Sequence, residues 1–237
     1  MKIAAAPSKQ MRERETTDLQ SRRFANRAEA GRELARCLRP VITAAHPLVL
    51  ALQRGGVPVG FEVARALDAD LDVFIVRKLG VPGHEELAMG AIASGGSAIL
   101  NQALIDELGI SAGAMARLVA RERREIARRE ALYRDDRPPP RIAGRTVILV
   151  DDGLATGASM LAAARAVEAR HPERIVVAVP VASRQACEEF RHRVDEVVCA
   201  RTPEPFYAVG VWYKDFSQTS DEEVRDLLRR AGGEQVP

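Results

Sequence analysis

The sequence predicts an α/β fold with a central, mostly parallel sheet flanked by helices. One observation is a series of short runs rich in Val, Ile and Leu, which is typical of strands buried on both faces. A second observation is that segments with helical periodicity stand between these runs. Strands that alternate with helices of this length indicate right-handed βαβ units and therefore a parallel sheet. The predicted strands are 47–52, 71–76, 145–150, 174–181 and 194–200, and the helices between them are 57–69, 157–171 and 183–193.

The ends of the chain are predicted from charge and capping signals. Residues 1–22 are polar and lack periodicity, so we expect a loose tail ahead of one domain over residues 23–237. Apolar residues at helical spacing predict a first helix over 27–39. Near the other end, Ser220 and Glu223 form a capping box that predicts a final helix.

The middle of the chain breaks the alternation of strands and helices. Glycines and a proline in residues 77–100 predict a flexible loop followed by a β-hairpin with its turn at Ser94–Ser97. A long inserted helix is predicted over about 111–133, and residues 112–141 hold nine arginines against five acids. Arg and Glu interleave there, which favours a solvated helix with ion pairs over an RNA-binding surface.

Composition and charge limit the classes of function. The 35 basic and 33 acidic residues leave a net charge of +2, so no general attraction to nucleic acid or membranes is expected. No apolar run is long enough for a signal peptide or a membrane span. Cys37, Cys187 and Cys199 form no CxxC pair, so we expect neither a disulfide framework nor a zinc cluster. We therefore expect a reduced, soluble, cytoplasmic protein.

The stretch VILVDDGLATGAS, residues 147–159, places two acids directly after an aliphatic strand. Residues 151–159 are called the Asp-Asp loop below. Ligands of open α/β sheets bind at this edge, and loop amides at a helix N-terminus form an anion site. Thr156 and Ser159 add hydroxyl donors, and Gly157 permits close approach of the backbone. The carboxylates suit sugar hydroxyls or a hydrated Mg²⁺ ion, so a phosphorylated ribose would satisfy both halves of the stretch.

The same stretch closely resembles the signature of the type I phosphoribosyltransferases, which use 5-phosphoribosyl-1-pyrophosphate (PRPP). Response-regulator receivers also have an aliphatic strand ending in Asp-Asp, but they lack the Thr-Gly loop. The resemblance follows the order of elements over about residues 24–225, and it is strongest to a bacterial branch without an assigned acceptor. It implies the type I phosphoribosyltransferase fold, with a flexible β-hairpin loop and a small C-terminal hood. The hood would comprise mainly residues 201–220, called the hood segment below, with helix 27–39.

The resemblance implies a set of PRPP-binding residues in three places. The Asp-Asp loop would hold the 5′-phosphate through Gly153, Leu154, Ala155, Thr156, Gly157, Ala158 and Ser159. Residues 53–56, called the Arg-Gly-Gly loop below, would bind pyrophosphate through the charge of Arg54 and the amides of Gly55 and Gly56, commonly with a strained peptide. Arg77 and Lys78, after the strand 71–76, would reach the same pyrophosphate.

Catalysis is expected from electrostatic stabilisation of the leaving pyrophosphate. The residues assigned to it are Asp151, Asp152, Arg54 and Lys78, and Asp151 and Asp152 would hold Mg²⁺ directly or through water. Glu85 and Glu86 in the loop are candidates for the acid or base, with ordinary solvated acids as the alternative.

The acceptor is less well defined by the sequence. Many family members that act on 6-oxopurines have an aspartate where this chain has Ala155, so a 6-oxopurine acceptor is less expected. Five aromatic residues fall within 206–216, which suits either the packing of a small core or the stacking of a base. Tyr207 and Trp212 are the candidate stacking residues, and Asp215 is a candidate acceptor for an exocyclic amine.

The main hypothesis is a Mg²⁺-dependent glycosyltransferase of the pentosyltransferase class. It would move phosphoribose from PRPP to a nitrogenous base and release pyrophosphate. One alternative is a regulatory protein that senses PRPP or a nucleotide without turnover and acts on RNA or a partner. Another is a different phosphosugar or nucleotide ligand with a reaction toward phosphorolysis. Neither a membrane nor nucleic acid is an expected partner, and a homodimer is compatible with the sequence.

Overall fold

The central sheet of the protein is parallel throughout. In a computed structural model of the chain, residues 23–135 and 137–233 are described, with only the backbone described at Glu85 and Glu86. The predicted tail, residues 1–22, lies outside the described residues. The strands of this sheet are β1 Leu48–Leu52, β2 Asp70–Phe74, β6 Thr146–Val150, β7 Arg174–Val181 and β8 Glu196–Arg201. They lie in the order β2-β1-β6-β7-β8, with every pairing parallel, which confirms the predicted fold class.

Helices cover both faces of this sheet, which explains the nearly continuous apolar character of its strands. Successive residues of a strand point to opposite faces, and in β1 Val49 packs into one core cluster while Leu48 and Leu50 pack into the other. The helices are α1 Arg27–Leu38, α2 Gly56–Leu67, α3 Gln102–Glu107, α4 Ala112–Arg134, α5 Ala158–Glu168, α6 Arg184–Phe190 and α7 Asp221–Ala231, with a 3-10 helix at Val209–Trp212.

A second, antiparallel sheet is inserted after β2. Its strands are β3 Val76–Val81, β4 His84–Ala93 and β5 Ala98–Leu100. The turn predicted at Ser94–Ser97 is confirmed, because it joins β4 to β5. The irregular loop expected before that turn is instead a β-hairpin, since β3 pairs with β4. Pro82 and Gly83 mark a tight turn between two strands rather than a long irregular segment.

The predicted strand 71–76 is in fact the junction of the two sheets. Strand β2 ends at Phe74 and β3 begins at Val76, so residues 71–76 belong to two strands. The amide of Ile75 donates a hydrogen bond to Ser94 Oγ at 2.9 Å, which fastens the junction to the hairpin turn. The apolar run continues across this change of sheet because residues of both strands are buried. Periodicity therefore gave no signal of the break.

The long helix α4 combines a buried edge with a charged surface. Met115, Ile126 and Tyr133 are buried on it, and Glu125 pairs with Arg128 and Arg129 one turn away. These ion pairs agree with the interpretation of a solvated helix. No helix in the described part of the chain combines the length and the apolar character needed to cross a membrane.

The cysteines depart from the sequence prediction. Cys187 of α6 and Cys199 of β8 form a disulfide, whereas Cys37 is free. The expectation that no cysteine is paired is therefore wrong. The reason is tertiary: the chain turns back after α6, so the two residues face each other although they are 12 positions apart. Their spacing matches no short motif that would have revealed the pairing.

Candidate functional site

The Arg-Gly-Gly loop and the Asp-Asp loop touch at the carboxyl edge of the central sheet. They follow β1 and β6, which are neighbours in that sheet with Ala51 opposite Val150. A Cβ atom on Gly55 would lie 2.0 Å from Asp152 Oδ2. A larger residue at Gly55 would therefore have to displace the Asp152 carboxylate. The sequence had explained this glycine only by exposure of its amide.

The helices that begin at these two loops differ from the other α-helices of the described residues. Helices α2 and α5 begin after Gly55 and Gly157, and neither has a side-chain cap. The other helices begin after a residue whose side chain accepts a first-turn amide, namely Asn26, Asn101, Ser111, Ser183 and Ser220. Side-chain capping satisfies amides that a helix leaves unpaired. At α2 and α5 no side chain competes for those amides, although the amide of Val57 donates to the Arg54 carbonyl, and the helix dipole favours an anion at the N-terminus of both helices.

A cavity of about 160 Å³ lies over the Asp-Asp loop. Because a water molecule takes about 30 Å³ of liquid volume, this space is large enough for a phosphate group. Lys78 reaches it from β3, and Asp151 borders it from the end of β6. The structure thus brings Lys78 and the Asp-Asp loop together around one space. The other lining residues are Gly153, Leu154, Ala155, Thr156, Gly157, Ala158, Ser159, Met160 and Val209.

Gly157 shapes the turn from this loop into α5. Its φ of 72° lies in the left-handed region, which side-chain-bearing residues rarely adopt. A Cβ atom there would also lie 2.5 Å from Phe190 Cε2. Both the backbone angle and the contact with α6 therefore require glycine at this position.

Burial and mutual repulsion define the electrostatics of the two aspartates. Burial raises the pKa of Asp151 well above its ordinary value, and the charge of Asp152 raises it further. Burial also raises the pKa of Asp152, against the opposing effect of Arg27. Asp151 Oδ1 accepts the backbone N–H of Asp152 at 2.8 Å. A bound cation or hydroxyl donor would stabilise the ionised form of this pair.

Arg27 is a member of the site that the sequence did not predict. Its Nε donates to Asp152 Oδ2 at 2.9 Å, its Nη1 donates to the carbonyl of Ser217 at 2.7 Å, and its guanidinium lies 4.0 Å from the centre of the Phe216 ring. It is 125 positions from Asp152, so no local spacing could have revealed it. Tyr213 was also missed as a polar partner, and its hydroxyl donates to the carbonyl of Asp152 at 2.6 Å.

Arg54 and Arg77 do not line the cavity. Arg54 Nη1 lies 3.5 Å from Asp221 Oδ1 of α7, and the Gln53–Arg54 peptide bond is cis. Arg77 Nε donates to Glu122 Oε2 of α4 at 2.9 Å. Since adjacent strand residues point to opposite faces, Arg77 and Lys78 cannot both face the Asp-Asp loop. Direct contact of these two arginines with PRPP stays a prediction.

The aromatic hood segment contains both buried and exposed residues. Trp212 is 3% exposed and packs with Phe24 and Val181, so its burial favours the packing role that the sequence left open. Tyr207 is 73% exposed and is available to a ligand. Asp215 Oδ1 accepts the amide of Ser217 at 3.0 Å, so it is engaged in its own turn.

The acid or base role of Glu85 and Glu86 is not decided by the structure. Their backbone belongs to β4, but their side chains lie outside what the structure describes. The assignment stays a prediction.

One family model and two relatives from known proteins match most of this chain. A family model described as "Phosphoribosyl transferase domain" matches residues 24–213. Two Mycobacterium tuberculosis proteins are 44% identical over 208 residues, which is 88% of this chain and 47% of theirs. Their names are "Putative phosphoribosyl transferase MT0597", from strain CDC 1551 / Oshkosh, and "Putative phosphoribosyl transferase Rv0571c", from strain H37Rv. The chain therefore spans about half the length of these relatives.

A solved structure matches nearly end to end. The crystal structure of TT1426 from Thermus thermophilus is 45% identical and has a TM-score of 0.77. The match covers 88% of this chain and 98% of that chain. The arrangement of sheet and helices is thus shared with a known protein over most of the described residues.

Proposed function

Since the chain belongs to the phosphoribosyl transferase family, we propose that it transfers phosphoribose from PRPP to a nitrogenous base and releases pyrophosphate. The family membership confirms the resemblance predicted from VILVDDGLATGAS. The observation that carries the proposal is the cavity where Lys78, Asp151 and the Asp-Asp loop meet. It combines a cation, a carboxylate and helix amides at one strand end, which are the groups that a phosphorylated sugar needs.

The 5′-phosphate would lie at the N-terminus of α5. The amides of the first turn have no side-chain cap, and the hydroxyls of Thr156 and Ser159 line the same space. The ribose hydroxyls would donate to Asp151 and Asp152, whose pKa values are raised by burial and whose ionised forms such donors would stabilise. This orientation places C1 of the ribose toward the Arg-Gly-Gly loop, which touches Asp152.

The carboxylate pair fits Mg²⁺ when the substrate supplies further ligands. Mg²⁺ is usually bound by one or two carboxylates together with phosphate oxygens and water. No group of three or more His, Cys, Asp or Glu residues within 23–135 and 137–233 could hold an ion unaided. Asp151 and Asp152 would therefore hold the ion directly or through water. When bound, Mg²⁺ supplies charge neutralisation for the leaving pyrophosphate.

The chain contributes electrostatic rather than covalent catalysis in this proposal. As the bond from C1 to the pyrophosphate oxygen breaks, negative charge grows on the leaving group, and the Lys78 ammonium and the amides of Gly55 and Gly56 stabilise it. A nitrogen of the acceptor then forms the new bond to C1. Glu85 and Glu86 remain the proposed acid or base, because they follow the turn that connects β3 to β4.

Ala155 supports the proposal that the acceptor is not a 6-oxopurine. It is exposed at the site, and its carbonyl accepts a hydrogen bond from Ser183 Oγ at 3.3 Å. The methyl group offers no carboxylate to a purine ring nitrogen. Adenine, uracil and related bases are the first acceptors to test.

Turnover tests the proposal directly. Purified protein with PRPP, Mg²⁺ and a panel of bases is expected to release pyrophosphate with one acceptor class, measured by a coupled phosphate assay. Lys78→Met is expected to weaken PRPP binding about 10- to 100-fold, because a charged partner is lost. Lys214→Met, an exposed lysine outside the cavity, is the matched control for PRPP binding. PRPP binding without turnover on any base would contradict the proposed transferase activity and favour the alternative of a regulatory protein that senses PRPP.

A further inference from the structure

The side chains that precede the two glycines of the Arg-Gly-Gly loop are held from outside the site. Arg129 of α4 donates from Nη1 to Gln53 Oε1 at 3.3 Å. Arg54 Nη1 lies 3.5 Å from Asp221 Oδ1 at the start of α7. Two helices distant in sequence therefore contact the side chains of the loop, while Gly55 faces Asp152 and Gly56 faces Val150 and Asp151.

Asp221 is the centre of this arrangement because it also binds a buried tyrosine. The hydroxyl of Tyr133 donates to Asp221 Oδ1 at 2.6 Å, and Tyr133 is 1% exposed. Asp221 is the first residue of α7, where the helix dipole favours a negative charge. The aspartate thus accepts a hydrogen bond from α4 and an ion pair from the loop.

Both groups keep the required protonation states around neutral pH. The hydrogen bond from Tyr133 lowers the pKa of Asp221, and the charge of Arg54 lowers it further. Burial raises the pKa of Tyr133 to about 12, and the hydrogen bond to Asp221 adds to this effect. A protonated tyrosine therefore faces an ionised aspartate, as the hydrogen bond requires.

The end of α4 that carries Tyr133 is itself fixed to the central sheet. Arg134 is buried, and its Nε donates to Asp72 Oδ2 of β2 at 2.8 Å. Tyr133 consequently has a defined position relative to β1, which pairs with β2 and leads into the loop. The arginine–aspartate pair of the loop is partly exposed and weak by itself, so the buried tyrosine is what gives Asp221 a single position.

We propose that Tyr133 and Asp221 are positioning residues that hold Arg54 and the Arg-Gly-Gly loop in the geometry that receives pyrophosphate. The inference rests on the proposed function, which assigns this loop to pyrophosphate. A loop that binds an anion through its amides gains affinity when its backbone is held in the binding geometry beforehand. The inserted helix α4 and the final helix α7 are then parts of the binding site and not only of the core.

The test separates the two ends of the substrate. Inorganic pyrophosphate with Mg²⁺ and ribose 5-phosphate are titrated separately by calorimetry into the wild type, Tyr133→Phe and Asp221→Asn. Both variants are expected to lose about five- to tenfold in pyrophosphate affinity, which corresponds to the net contribution of one ordinary hydrogen bond because the effect on the ligand is indirect. Their affinity for ribose 5-phosphate is expected to stay unchanged, because the hydrogen-bond and ion-pair partners of Asp221 among the described residues are Tyr133 and Arg54, outside the Asp-Asp loop. Asp226→Asn on an exposed side of α7 is the matched control, with no expected change for either ligand.

The outcomes separate this inference from a general structural role. Unchanged pyrophosphate affinity in both folded variants would overturn it, and so would an equal loss for both ligands, which indicates a loosened core. If Tyr133→Phe does not fold, Asp221→Asn alone decides, since Asp221 is partly exposed. If the wild type binds neither ligand, the proposed function fails and this inference fails with it.

Discussion

The Asp-Asp loop and the hood segment, residues 201–220, meet at Asp152, which belongs to the loop, but the two regions consist of different kinds of residues. The loop consists mainly of small residues and presents backbone amides at a helix start without a side-chain cap. The hood segment contacts the same residue through large side chains, including the Tyr213 hydroxyl. In the proposed function, phosphate binding by the loop depends on the space above it and on the direction of its amides. Base binding by the hood segment would depend on which aromatic rings lie outside the small core.

This difference explains why the sequence supported one interpretation of the Asp-Asp loop but two interpretations of the aromatic residues in the hood segment. An anion site made of backbone leaves a local pattern, because glycine must stand at Gly157, where φ is 72°. Aromatic residues leave no such distinction, since core packing and base stacking require the same side chains. Trp212 and Tyr207 belong to one short segment, yet one is buried and the other is largely exposed.

The largest expected effect lies at the point where the two regions meet. Asp151→Asn combined with Asp152→Asn is expected to lower PRPP affinity at least about 100-fold, because buried charged partners of a ligand contribute about 2–5 kcal/mol or more. Calorimetry measures the affinity, and circular dichroism checks the fold. Asp226→Asn serves as the control for a change of charge elsewhere. Unchanged affinity in the folded double variant would show that the ligand site has been wrongly assigned.

The hood segment provides the next largest effect, and it falls on stability rather than on phosphate binding. Trp212→Ala is expected to lower the free energy of unfolding by about 3–5 kcal/mol, as for other buried aromatic residues. Tyr207→Ala is expected to stay within about 0.5 kcal/mol because its side chain is exposed. Urea unfolding measures both values.

The acceptor kinetics of the same two variants complete the comparison. If Tyr207 stacks on the base, Tyr207→Ala raises KM for the acceptor while KM for PRPP is unchanged. A stable Trp212→Ala protein with impaired acceptor binding would reverse the assignment, because it would place the indole in the base pocket and not in the core.

Particular residues show where prediction from the sequence succeeds. The strands around the site and the start of α5 were predicted, since each depends on a few consecutive residues. Lys78 lines the cavity, and its ligand role stays a prediction. The sequence could not show which of Arg77 and Lys78 faces the Asp-Asp loop. The face on which each residue lies depends on where β3 begins, and the apolar run concealed the junction at Ile75.

The features that the sequence did not predict are contacts between residues that lie far apart in the chain. Arg27 reaches Asp152 across 125 positions, and Tyr133 reaches Asp221 across 88. The disulfide between Cys187 and Cys199 joins a helix to an edge strand. In each case the packing of helices and strands determines which two residues meet, and the residue types alone do not.

The smallest expected effect is a dependence of stability on pH that arises from the acid pair. Burial raises the pKa of Asp151 above its ordinary value, so the folded protein binds more protons than the unfolded chain between the two values. Stability of the ligand-free protein should therefore fall as pH rises through that window, because the folded state must then carry a buried charge.

Asp151→Asn should reduce this dependence and leave the ligand-free protein more stable than the wild type at neutral pH. Burial also raises the pKa of Asp72 and of Asp152, so some pH dependence remains in the variant, and the difference between the two proteins reports the contribution of Asp151 together with its repulsion of Asp152. Urea midpoints measured between about pH 4 and pH 8 span the range above the ordinary aspartate pKa. A difference that does not change with pH would mean that Asp151 is already balanced by Arg27 and Lys78, and the need for a bound cation at this edge of the sheet would disappear.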